Sequence, residues 1–124
     1  MRILTIAATV AVACATAVAA SAAPAQLTDT QFIAANRCLG LMSSKALATP
    51  DAATLAAYLK TQNVGREGFV YDRADQARED GRELAGRAGT ETLTRLTAER
   101  DGVCQSFVAD AQTTAAAAHG AHSS

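Results

Sequence analysis

From Phe32 onward, apolar residues recur at helical spacing, and the one stretch that could form a short strand, residues 65–71, has no obvious partner to satisfy its backbone. Phe32, Ala35, Leu39 and Met42 form one stripe, with Ala34, Cys38 and Leu41 on a second seam beside it. Thr28 and Asp29 precede them as cap residues, so a first helix is expected over about Thr30 to Leu47. Thr49-Pro50-Asp51 is the sharpest start signal: a cap, a proline where its missing N–H costs nothing, and a carboxylate at the positive end of the helix dipole. The second helix then buries Ala52, Leu55, Ala56 and Leu59, carries Tyr58 at the edge, and stops at Asn63-Val64-Gly65.

The third helix is written in small residues, Val70, Ala74, Ala77, Gly81, Leu84 and Ala88, a seam that permits close approach of a neighbour. Between the second and third helices, residues 65–71 read as a tight connection whose aromatics, Phe69 and Tyr71, plug one end of a bundle. Gly89 and Thr90 divide the third helix from a fourth, expected over Glu91 to Ala111. Its stripe is Leu93, Leu96, Val103 and Phe107, with Cys104, Val108 and Ala111 alongside. The pattern predicts an all-α fold: a small four-helix up-down bundle in which the first and last helices are neighbours.

The start of the chain belongs to another class. Ile3 to Ala20 holds only apolar and small residues, follows Arg2, and leads into Ala20-Ser21-Ala22-Ala23-Pro24. This is the layout of a secretory signal peptide cleaved near Ala22 or Ala23. The domain division expected is 1–23 signal peptide, 24–111 helical domain and 112–124 an Ala/His/Ser-rich flexible tail. Cys14 sits late in the apolar stretch, where a lipoprotein would carry its lipid, but Ala11-Val12-Ala13 matches a lipobox poorly. A retained membrane anchor is disfavoured because alanine-rich stretches are weakly hydrophobic. The mature chain is therefore expected to be periplasmic or secreted, with no integral membrane segment.

Cleavage leaves Cys38 and Cys104. An even pair in an exported chain reads as a disulfide, and their separation excludes C-x-x-C redox, haem-attachment and zinc-knuckle motifs. The bridge has a physical motive, since in the mature portion alanine alone outnumbers leucine, isoleucine, valine and phenylalanine combined. Such a core is thin.

Composition removes several function classes. Eleven basic residues nearly cancel 12 acidic ones, so charge gives no reason to expect nucleic acid as a partner. Asp75, Glu79 and Glu83 make a carboxylate ridge on the third helix. Interleaved arginines give these carboxylates one common environment, so the ridge reads as a solvated face with ion pairs such as Glu83 with Arg87. His119 and His122 are the only histidines and form a weak H-x-x-H metal candidate without a third ligand. Glycine-rich phosphate loops, nucleophile elbows and H-E-x-x-H are absent from the sequence, so neither an enzyme nor a cofactor is expected. The expectation is a non-catalytic periplasmic module that binds another exported protein, with Tyr58, Phe69 and Tyr71 as candidate contact residues. Two alternatives are a chaperone that opens in acid as carboxylates protonate, and a small-ligand or metal carrier using the C-terminal histidines.

Overall fold

Thr28 begins the first helix with a reciprocal cap: its Oγ1 accepts from the Gln31 N–H at 3.2 Å, and Gln31 Oε1 accepts from the Thr28 N–H at 2.9 Å. The computed structural model describes residues 26–120, so the expected signal peptide, Cys14 and His122 lie outside the described residues. Five helical segments follow: α1 (Asp29–Met42), α2 (Asp51–Thr61), α3 (Gly68–Arg87), α4 (Thr90–Asp101) and α5 (Val103–Gly120). They form an all-helical bundle, with no strand among the described residues.

The deviations from expectation have local causes. α1 ends at Met42, short of Leu47, where Ser43 Oγ donates to the Leu39 carbonyl at 2.6 Å and Ser44 Oγ to the Leu41 carbonyl at 2.7 Å. The Ser44 hydroxyl thereby takes the Leu41 carbonyl that the next helical N–H would have used. Thr49 makes no side-chain cap for α2; its Oγ1 is buried without a hydrogen-bond partner. α4 starts at Thr90 with Gly89 in the cap position. The single fourth helix expected is broken at Gly102, whose backbone lies at φ −103° and ψ −94°. The break resets the helical register, so α5 buries Cys104, Phe107, Val108 and Ala111, while Val103, expected on the inner stripe, is 63% exposed. The segment expected as a flexible tail continues α5 as far as Gly120.

Cys38 and Cys104 form the expected disulfide, with Cα atoms 5.5 Å apart, and so staple the first helix to the last. Both half-cystines are buried. Closing a loop across 66 residues stabilises by about 4 kcal/mol in the chain-entropy model. The bridge also points to an oxidising, non-cytoplasmic environment. The Arg37–Glu99 ion pair, at 2.8 Å, ties α1 to α4 as well, and Glu99, by accepting that hydrogen bond, raises the Arg37 pKa.

Helix pairing is not by sequence neighbour: α1 packs mainly on α3, and α2 on α5. Contacts that join Phe32 to Tyr71, Asn36 to Arg78 and Leu41 to Gly81 advance together, so α1 and α3 run in the same direction. Their approach depends on glycine. A Cβ on Gly40 would lie 2.0 Å from the Arg78 carbonyl oxygen, and one on Gly81 would lie 2.7 Å from that of Arg37. The inward face of α3 is Val70, Ala74, Gly81 and Ala85, with Leu84 turned outward.

Candidate functional site

The α2–α3 connection is fixed from inside by Arg66, whose side chain is only 4% exposed. α2 ends at Thr61, and Gly65, at φ +79°, takes a left-handed backbone in the turn that follows. Arg66 Nε then donates to the Gln62 carbonyl at 2.7 Å, Nη2 to the Leu27 carbonyl at 2.6 Å, and Nη1 to Asp29 Oδ1 at 2.5 Å. Its guanidinium also lies 4.3 Å from the centre of the Phe32 ring, within cation–π range. Gln62 Oε1 accepts from the Leu27 N–H at 2.9 Å, and the Tyr71 hydroxyl donates to the Asn63 carbonyl. On the outside, Val64 of the connection is 75% exposed and Phe69, in the first turn of α3, 60%.

Beside it, α1, α2 and α3 enclose a recess of about 280 Å³. Phe32, Leu39, Ala56, Leu59 and Ala74 supply apolar walls; Asn36, Lys60, Asn63, Tyr71, Asp75 and Arg78 supply the polar groups. Asn36 is fully buried, its Nδ2 donating to the Phe32 carbonyl at 2.9 Å. Its Oδ1 accepts from Arg78 Nε at 3.1 Å and also from Nη2. Arg78 is thus oriented by a neutral amide.

A second, more apolar groove of about 370 Å³ runs between α2 and α5, lined by Ala53, Thr54, Ala57, Tyr58, Thr61, Ala111, Thr114 and Ala115. Burial, followed by the charge of Asp110, pushes the Tyr58 hydroxyl pKa up.

The three aromatic candidates therefore separate. Tyr58 is a core residue, 3% exposed, at the α2–α5 groove; Tyr71 lines the α1–α2–α3 recess and meets Phe32 edge-on with ring centres 6.5 Å apart; Phe69 lines neither and faces outward. Phe69 does not plug the bundle end as expected, because Arg66 stacked on Phe32 takes the inward place. The carboxylate ridge splits too: Glu79 pairs with Arg82 at 2.5 Å and Glu83 with Arg87 at 3.3 Å, while Asp75 lines the recess. His119 lies exposed on α5, and among the described residues no group of three His, Cys, Asp or Glu side chains is placed to hold a metal ion. No described helix is long and apolar enough to cross a membrane.

Sequence patterning missed Arg66, Lys60, Arg78 and Asn36 as site residues. Only Asn36 carried a signal: it falls one turn after Phe32, a polar side chain on the buried side of α1. Compared with known proteins, the chain matches no family model, no curated protein and no solved structure.

Proposed function

We propose that this chain is an exported, non-catalytic binding module that recognises another exported protein through the α2–α3 connection. The observation that carries it is an inversion of ordinary burial: an arginine is held inside the connection while a valine and a phenylalanine are held out. Single exposed apolar side chains are common on protein surfaces. Here Val64 sits on a connection fixed by hydrogen bonds and Phe69 in the first turn of the helix that follows it, so little conformational entropy is lost when a partner covers them. A phenylalanine presented this way suits the apolar anchor of a small interface. The disulfide and the leader-like first segment support an exported location, and cleavage near Ala22 or Ala23 belongs to the same proposal.

Chemical crosslinking in the exported fraction of the native host tests it, with the Val64→Ser/Phe69→Ser double variant beside wild type. Expected is a discrete crosslinked partner with wild type that is lost in the variant at unchanged melting temperature. Equal capture by both proteins would overturn the assignment. Intact mass before and after reduction tests export: a start at Ala23 or Pro24 with two thiols appearing only on reduction is expected.

A further inference from the structure

We infer that the recess between α1, α2 and α3 is a binding site for a small organic carboxylate with an apolar body, independent of the role given to the α2–α3 connection. Arg78 is positioned by Asn36 through two of its nitrogens, yet this partner is uncharged and leaves the guanidinium charge uncompensated. A carboxylate at position 36 would have closed an ion pair; the amide holds the guanidinium in place without neutralising it. Arg78 Nη1 has no hydrogen-bond partner among the described residues. Lys60, on α2, is the second cation lining the recess, and neither it nor Asp75 forms an ion pair or a side-chain hydrogen bond among the described residues.

Two exposed cations against one exposed carboxylate give the recess one net positive charge, which favours an anionic ligand. Asn36, wholly buried, keeps the floor of the recess rigid, as a preorganised anion site requires. The half-buried Ala56 and the Tyr71 ring provide walls that inorganic phosphate or sulfate would not use. The volume, about 280 Å³, lies near the lower end of ligand pockets and suits a short aliphatic or aromatic acid. Guanidinium and ammonium together would hold the carboxylate by charge-assisted hydrogen bonds while the hydrocarbon covers Ala56 and the Tyr71 ring.

Titration of the ¹⁵N-labelled, disulfide-bonded full chain with hexanoate tests this, with hexanamide and inorganic phosphate as the uncharged and wall-blind probes. Hexanoate is expected to give saturable shifts centred on Asn36, Lys60, Tyr71 and Arg78, with both other probes about tenfold weaker or worse, as for loss of a charge-assisted hydrogen bond or of buried hydrocarbon. Lys60→Gln should weaken hexanoate about threefold and Asp75→Asn should tighten it by a similar factor, as for one partly screened charge. Arg78→Gln should weaken it about tenfold; should that variant fail to fold, Lys60→Gln and Asp75→Asn, which break no side-chain bond, decide the matter alone. Absence of saturable shifts, equal binding of hexanoate and hexanamide, equal binding of phosphate, or shifts centred on Ala57 and Ala111 would each overturn the assignment.

Discussion

Between α1 and α3, Gly40 and Gly81 bring backbone against backbone; between α2 and α5, Ala53, Ala57, Ala111 and Ala115 leave an open groove. Both interfaces are built from small residues in a chain short of large aliphatics. In the first, each missing Cβ is matched by a carbonyl oxygen of the opposite helix, so the space is filled and the helices lock. In the second the methyls of Ala53, Ala57 and Ala115 meet solvent, and the helices rely on Tyr58, Val108, Ala111 and their neighbours. Small residues stabilise a helix pair only where the opposing backbone comes in to use the space, because dispersion forces need atoms on both sides of the gap.

That contrast is breakable. The largest effect is expected from the tie between the two regions: replacing Cys38 and Cys104 with serine should cost about 4 kcal/mol, read from urea unfolding. Hydrogen exchange of the same variant should lose protection in α5 before α1 and α3. Gly40→Ala should cost about 3 kcal/mol, since a Cβ 2.0 Å from a backbone oxygen forces the helices apart and outweighs the gain of about 1 kcal/mol in helix propensity. Gly81→Ala, at 2.7 Å, should cost about 2 kcal/mol by the same measurement. Ala57→Leu should do the reverse, filling open groove and stabilising by about 0.5 kcal/mol; a loss as large as that of Gly40→Ala would erase the distinction.

The smallest effect is a pH dependence. Tyr58 has its pKa raised in the folded state above the ordinary 10.0, chiefly by burial. Its contribution to stability is therefore complete below pH 10.0 and lost as pH rises through the folded-state value. Tyr58→Phe should remove this contribution, so the variant loses less stability than wild type in alkaline unfolding series.

Much of the site was illegible for a physical reason. Capping boxes, prolines and apolar spacing act within a few residues, and they located the start of α1 through Thr28 and the start of α2 through Pro50. Arg66 reaches Leu27, Asp29 and Phe32, partners about 40 residues away that no local pattern couples to it. Phe69 and Tyr58 were ranked alike as aromatics, yet one faces solvent and the other the core, because the third dimension assigned the inward place beside Phe32 to a guanidinium.

The sequence by itself determined that the domain is helical, that its helices begin near Thr28, Pro50 and Thr90, and that Cys38 pairs with Cys104. These follow from spacing, backbone chemistry and the parity of two cysteines. Only the tertiary structure decided that α1 packs along α3, that Gly102 breaks the last helix and turns Val103 outward, and that Asn36, Lys60 and Arg78 share one recess. Each of these depends on which surfaces of distant segments fit together, and close packing between helices is settled by shape across the fold.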